Sequence, residues 1–259
     1  MEVPYYLLLL VLVGPMALQY YAGHKYKNER YRMIIITGAS KGIGKYLLET
    51  YLDRGDEPII GTYLSTVPQH RVDNFVRIDV CDSAQVVEFV EKIAESANHL
   101  TLINCAGISY NAYTHKSDPD EWRKVVETNL FGSYHFIRAL LPLMRDQKYG
   151  RVINFSSVVA VKPTPGISAY SASKSALWGM TKSLAIENAS LNVTINNINL
   201  GYSELGMINT VPEEYRKKIT AQIPAGFLCE PQDILSTVEY LRNTKYITGS
   251  SIDLSGGLV

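Results

Sequence analysis

Cysteine is scarce in this chain, and its three copies, Cys81, Cys105 and Cys229, stand far apart. That spacing makes neither a disulfide framework nor a thiolate metal cluster, and it fits a reducing compartment. The five histidines also lack metal-ligand spacing, so no metal site is expected. Neither sign of charge is in excess, with 25 Lys and Arg against 25 Asp and Glu. A nucleic-acid partner is therefore not expected. Repeats and low-complexity blocks are absent, and 23–32 is the only linker-like stretch. The Asn-x-Ser/Thr patterns at Asn154, Asn188 and Asn192 read as chance matches, because the first falls in a strand pattern. What is present is a globular composition, 46% hydrophobic and 19% charged over 259 residues. One large α/β domain accommodates it.

Long apolar runs are also few, and the longest is at the amino terminus. Tyr5 to Ala22 is almost wholly apolar and is followed by Lys25, Lys27, Arg30 and Arg32. Its length is close to the lower limit of a bilayer span, about 17 residues. A cleaved signal peptide is disfavoured, because Glu2 replaces the usual cation and Tyr20 spoils a small-x-small site before Ala22. Two readings stay open. Residues 5–22 are a membrane anchor, kinked at Gly14-Pro15, whose basic flank keeps the rest of the chain on the cytoplasmic side. Or Met33 is the true start and 1–32 a mis-called one. Both divide the chain into a segment 1–32 and a domain 33–259.

From Met33 the pattern alternates strands and helices, which predicts a doubly wound parallel sheet, a Rossmann-type α/β fold. Strands are expected at 33–37, 58–62, 75–78, 101–104, 151–155, 193–198 and 251–253. Helices are expected near 43–53, 83–97, 119–144, 169–189, 213–222 and 231–241. The stretch Tyr63 to Asn74 contains Pro68 and is too short for the usual crossover helix. A loop or a single turn is expected there.

Two motifs carry chemistry. The run Met33-Ile34-Ile35-Ile36 leads into Thr37-Gly38-Ala39-Ser40-Lys41-Gly42-Ile43-Gly44 and then a helical pattern. Strand, glycine turn and helix start together make a pyrophosphate cradle, since glycines let backbone N–H groups approach and the helix end favours an anion. Further on, Tyr170-Ser171-Ala172-Ser173-Lys174 puts a phenol and an ammonium one helical turn apart on one face. A cation beside a phenol favours the phenolate, which predicts a Tyr170 pKa below the ordinary value near ~10.

Together with Asn104-Cys105-Ala106-Gly107, Asn129, Ser157 and the Gly256-Gly257 ending, these motifs resemble the short-chain dehydrogenase/reductase family from Met33 to Val259. The resemblance implies an oxidoreductase acting on CH–OH groups or ketones, and a catalytic set of Asn129, Ser157, Tyr170 and Lys174. Tyr170 would move the proton, Lys174 would tune it and hold the nicotinamide ribose, Ser157 would bond the carbonyl oxygen, and Asn129 would support a water chain. Ser156 is the alternative to Ser157. The cofactor contacts implied are Gly38, Ser40, Lys41, Gly42, Ile43, Gly44, Thr62, Asp79, Val80, Asn104, Ala106 and Gly107, with Tyr170 and Lys174. Asp79 has a competing reading as a helix cap. NADP(H) is favoured over NAD(H), because Gly61-Thr62-Tyr63-Leu64-Ser65-Thr66 lacks the carboxylate that repels a 2′-phosphate and Lys41 supplies a cation.

The chain departs from the family pattern at Leu200 and Leu205, where proline and threonine are common. Residues 202–228 are expected to form a lid, with Tyr202, Ile208, Tyr215, Ile223, Phe227 and Leu228 making a partly apolar pocket. Three functions compete. The leading one is an NADPH-dependent reductase of a small-molecule ketone. Among family members the chain resembles 3-oxoacyl-carrier-protein reductases of fatty acid synthesis. Ile186 and Leu191 stand where those carry arginines, and only Lys148 keeps a basic partner. The third is a non-catalytic NADP(H)-binding sensor, against which the intact catalytic set argues. The family also implies a homodimer or homotetramer built on helices 119–144 and 169–189, and a cytoplasmic location, free or anchored through 5–22.

Overall fold

In the computed structural model, residues 32–55, 57–206, 208 and 211–259 are described. The apolar run 5–22 lies outside the described residues. Among the described residues no helix is long and apolar enough to cross a membrane.

The strands are β1 (Ile34–Thr37), β2 (Ile59–Tyr63), β3 (Phe75–Arg77), β4 (Thr101–Asn104), β5 (Gly150–Ser157), β6 (Val193–Leu200) and β7 (Ser251–Leu254). They form one seven-stranded sheet in the order β3-β2-β1-β4-β5-β6-β7, every neighbouring pair parallel. Helices cover both faces, so strand residues are buried whichever way they point, and all of β1, β4, β5 and β6 is buried. α1 (Gly42–Arg54) and α7 (Pro231–Asn243) cover one face, where Leu47, Leu48, Ile234 and Val238 meet Ile34, Ile36, Ile103 and Ile153. On the other, α2 (Ser83–Ile93) and α4 (Gly132–Asp146) bring Phe89, Ile93, Phe136 and Leu140 onto Ile35, Leu102 and Val152. α5 (Ser168–Asn188) packs on β5 and β6 beside them, and α6 (Glu213–Gln222) lies outside with no buried residue.

The strand order switches between β1 and β4, with β2 and β3 laid outward on one side and β4 to β7 on the other, and in a parallel sheet such a switch leaves a crevice at the carboxyl ends of the strands. The expected elements are all present, with three differences. β5 and β6 run on to Ser157 and Leu200, beyond their expected ends at 155 and 198. α2 stops at Ile93 rather than at 97. The helix expected over 119–144 is α3 (Pro119–Val126), a π segment Glu127–Phe131, and α4. The Tyr63–Asn74 connection holds only a 3-10 turn, Val72–Asn74.

Candidate active site

The glycine turn closes against the end of β4. Gly38 has φ +64°, and a Cβ there would lie 2.8 Å from Ala106 Cα. A Cβ on Gly44 would lie 2.6 Å from the Gly38 carbonyl oxygen. Only glycine lets the turn fold this tightly at the start of α1. Thr37 fastens the same corner: its Oγ1 accepts from the backbone N–H groups of Cys105 (3.2 Å) and Ala106 (3.1 Å). Sequence reasoning passed over Thr37, although its register with Asn104 makes it the natural partner.

The remaining cofactor positions divide. Ser40, Lys41 and Ile43 lie open or half-open on the turn. Thr62 Oγ1 is buried with no protein partner, an unmet hydroxyl at the end of β2. The Asn104 side chain lies inside the sheet, its Nδ2 donating to Asn154 Oδ1 at 2.8 Å while its Oδ1 is buried with no protein partner. Val80 is core, packed where a Cβ on Gly132 would meet it at 2.6 Å. Its carbonyl pairs with His135 Nδ1 at 2.9 Å. Asp79 holds the next turn, accepting from Cys81 N at 2.9 Å, while Asp82 caps α2. The helix-cap reading of Asp79 is thereby set aside. A dinucleotide fits this arrangement, since the glycine cradle leaves no room for a side chain and Thr62 offers a donor.

The four expected catalytic positions come from three elements, Asn129 from the π segment, Ser157 from β5, and Tyr170 and Lys174 from α5, which lie together at the carboxyl ends of the strands. Asn129 sits at the centre of the π segment. The wider turn lets Asn129 reach across, its Oδ1 accepting from Ile108 N (2.8 Å) and its Nδ2 donating to Ile108 O (2.9 Å) and Ser173 Oγ (3.0 Å). Gly107 lies between Asn129 and Lys174: a side chain there would come 3.2 Å from Asn129 Oδ1 and 3.7 Å from Lys174 Nζ. Ser157 ends β5, caps a 3-10 turn through Val159 N, and lies close enough to the Tyr170 phenol to ease its ionisation. Ser156 faces the other way, donating to the Lys174 carbonyl at 3.0 Å, which removes it as the alternative to Ser157.

The electrostatics differ from the sequence expectation. Burial pushes the Tyr170 phenol up to about 12, opposed by Ser157 beside it. Lys174 does not hold the phenol down here. Its ammonium is 5.6 Å from the Tyr170 ring centroid and donates to the Phe155 carbonyl at 2.6 Å. Burial brings Lys174 itself down to about 8, with Cys105 beside it acting the opposite way. The proximity argument from Tyr-x-x-x-Lys omitted desolvation, which dominates both groups.

The apolar residues expected over 202–228 divide. Ile208 and Ile223 are buried, whereas Tyr215 and Phe227 are mostly exposed. Tyr202, Ile223 and Phe227 line a cavity of ≈ 280 Å³ with Cys229 and Leu254, and none of the four catalytic side chains lines it. Leu205 packs into the core cluster of the α1 face.

Residues 32–216 match the family described as short chain dehydrogenase. The chain belongs to that family. Curated relatives of the short-chain dehydrogenase include a 3-oxoacyl-acyl-carrier-protein reductase (FabG) of Salmonella typhimurium, 33% identical over 88% of this chain and 97% of the relative. An acetoacetyl-CoA reductase of Shinella zoogloeoides is 33% identical over 87% of this chain and 98% of the relative. Among solved structures, ligand-free aldohexose dehydrogenase of Thermoplasma acidophilum superposes with TM-score 0.81 at 28% identity, covering 88% of this chain and 94% of that one. The protein is thus an NAD(P)-dependent oxidoreductase acting between CH–OH and keto groups.

Proposed function

We propose that this short-chain dehydrogenase reduces a small-molecule ketone to a secondary alcohol with NADPH. The observation that carries the reading is the convergence of Asn129, Ser157, Tyr170 and Lys174 at the cleft edge beside the glycine turn. Bound in that cleft, the nicotinamide supplies the hydride. The side chains do the rest. Ser157 Oγ donates to the ketone oxygen and orients it. Tyr170, whose phenol keeps its proton up to about 12, is a proton donor throughout the neutral range. Lys174, beside the ring, holds the ribose, and Ser157, the neighbour that eases ionisation of Tyr170, stabilises the phenolate left after proton transfer. Asn129 holds Ile108 and Ser173 in place.

NADPH is favoured by the absence of a carboxylate over 61–66 and by Lys41 on the exposed turn. A cavity of ≈ 250 Å³ beside Ser40 is lined by Lys45 and Arg71, paired with Glu49 and Asp53. The relatives that reduce 3-oxoacyl or acetoacetyl thioesters make a 3-ketoacyl substrate the second reading. Against a carrier-protein partner, Ile186 and Leu191 replace basic residues and Ile186 is 84% exposed. That same exposed residue, with Phe131 and Tyr134, supports assembly into a dimer or tetramer through α4 and α5.

A panel of ketones, with 3-ketoacyl thioesters included, tests the reading by following oxidation of NADPH and NADH. Turnover with a kcat/KM favouring NADPH is expected. No turnover with either cofactor would leave the sensor reading, and equal use of both would remove the NADPH assignment. Lys41→Glu is expected to erase the preference by repelling the 2′-phosphate.

A further inference from the structure

Three successive residues of β5 hold α5 in place. The Phe155 carbonyl accepts from Lys174 Nζ (2.6 Å), the Ser156 hydroxyl donates to the Lys174 carbonyl (3.0 Å), and Ser157 lies beside the Tyr170 phenol. Lys174 is therefore gripped at both ends by adjacent residues of one strand. Ser156 is itself oriented from outside the site. Trp178 Nε1 donates to Ser156 Oγ at 3.1 Å and to Asn199 Oδ1 at 2.9 Å, and Asn199 Nδ2 donates to Asp253 Oδ1 at 2.7 Å. Ser156, Asn199 and Asp253 are register partners across β5, β6 and β7, so all three project from the same side of the sheet, under α5.

We propose that Trp178 and Asn199 are positioning residues for the Tyr170–Lys174 pair, acting through Ser156 and anchored on Asp253. The inference rests on the ketoreductase reading of this site. α5 needs such a device. Its fully buried residues are Ser173, Lys174, Thr181 and Asn188 and only three apolar ones, Ala169, Leu177 and Ala185, with Met180 and Leu184 half-buried on the core beside them. No side chain caps its first turn, where Tyr170 stands. Apolar contacts are non-directional, and so few of them leave a helix free to slide or turn by fractions of an ångström. Directional hydrogen bonds do not. The indole N–H fixes which way the Ser156 hydroxyl points, because an oxygen accepting from Trp178 has its proton directed at the Lys174 carbonyl. Catalysis is sensitive to displacements of this size.

Trp178→Phe removes the donor and keeps the ring, and Ser156→Ala removes the hydroxyl. Each is expected to lower kcat about tenfold with a much smaller rise in cofactor Kd, the split of a reacting group misplaced by a fraction of an ångström rather than a damaged binding site. Acting in one chain, the two changes should not add, so the double variant should be no slower than the slower single. Ser156→Thr, which keeps the hydroxyl, should restore kcat. Lys174 titration, followed by NMR of the labelled side chain, needs no turnover. In Trp178→Phe its midpoint should rise from about 8 toward the ordinary lysine value as the clamp loosens. Additive losses, an unchanged kcat in folded Trp178→Phe, or an unmoved Lys174 midpoint in both variants would overturn the inference. If the parent protein turns over no ketone, the ketoreductase reading falls instead, and the Lys174 titration alone decides the positioning role.

Discussion

Tyr170 is held as a neutral phenol by burial, and Ser157 is the one neighbour that eases its ionisation. Removing the hydroxyl leaves the ring and the cofactor cleft in place. Tyr170→Phe is accordingly expected to bind NADPH with parental affinity and to lose turnover by orders of magnitude, measured by fluorescence titration and steady-state kinetics. Parental turnover would remove Tyr170 as the proton donor. Lys174 offers a test of a different kind, because its folded-state pKa lies below the ordinary 10.5. The cost of burying the ammonium is fully present below about pH 8 and is relieved as pH rises from there to 10.5. Stability of the parent should therefore rise across that window relative to Lys174→Met, which cannot titrate. Chemical denaturation at a series of pH values measures it, and a difference independent of pH would show that Lys174 is not buried as a cation. The residue types at these positions were legible in the sequence. The direction of the Tyr170 shift was not, because desolvation depends on how much protein surrounds a group.

Between residue and fold stand the glycine turn and the π segment. The turn was readable from Thr37 to Gly44, because φ > 0 and backbone approach both require glycine there. Gly38→Ala would place a methyl group against backbone, 2.8 Å from Ala106 Cα, with no flexible side chain to yield. It is expected to abolish cofactor binding and to lower the melting temperature, by calorimetry and titration. Parental affinity would mean that the turn and the end of β4 separate more easily than their packing implies. The π segment at Glu127–Phe131 left no such trace. Apolar spacing over 119–144 reads as one helix because a single wide turn barely disturbs the period. The break becomes visible only where Asn129 finds Ile108, twenty-one residues away, and Ser173, forty-four away.

Over the whole molecule the two edges of the sheet carry different duties. The carboxyl edge holds the cleft. The amino edge is fastened by Arg242, buried between Glu57 and Glu239, with Tyr51 donating to Glu239. Arg242→Met is expected to cost on the order of 2 kcal/mol, because it strands two carboxylates that are only partly solvated, while KM for the cofactor stays at the parental value. Urea denaturation with kinetics checks both halves, and a large KM change would join the two edges functionally. Assembly belongs to this scale too. Ile186→Asp, on the exposed face of α5, is expected to shift a dimer or tetramer toward monomer in sedimentation velocity at micromolar concentration, and a monomeric parent would refute the α4–α5 interface.

Resemblance to the family singled out Asn129 and Ser157, whereas the strand and helix order, the glycine turn, and the shared helix face of Tyr170 and Lys174 were determined by sequence alone. Each rests on local rules: periodicity, backbone permissiveness at glycine, and residue type at fixed spacing. Tertiary structure decided what depends on neighbours distant in the chain. It turned Ser156 toward the Lys174 carbonyl and Ser157 toward Tyr170, drew the Asn104 side chain into the sheet, and placed Val80 in the core. It also set the charge balance of Tyr170 and Lys174, since burial is a property of the packed chain and not of any segment of it.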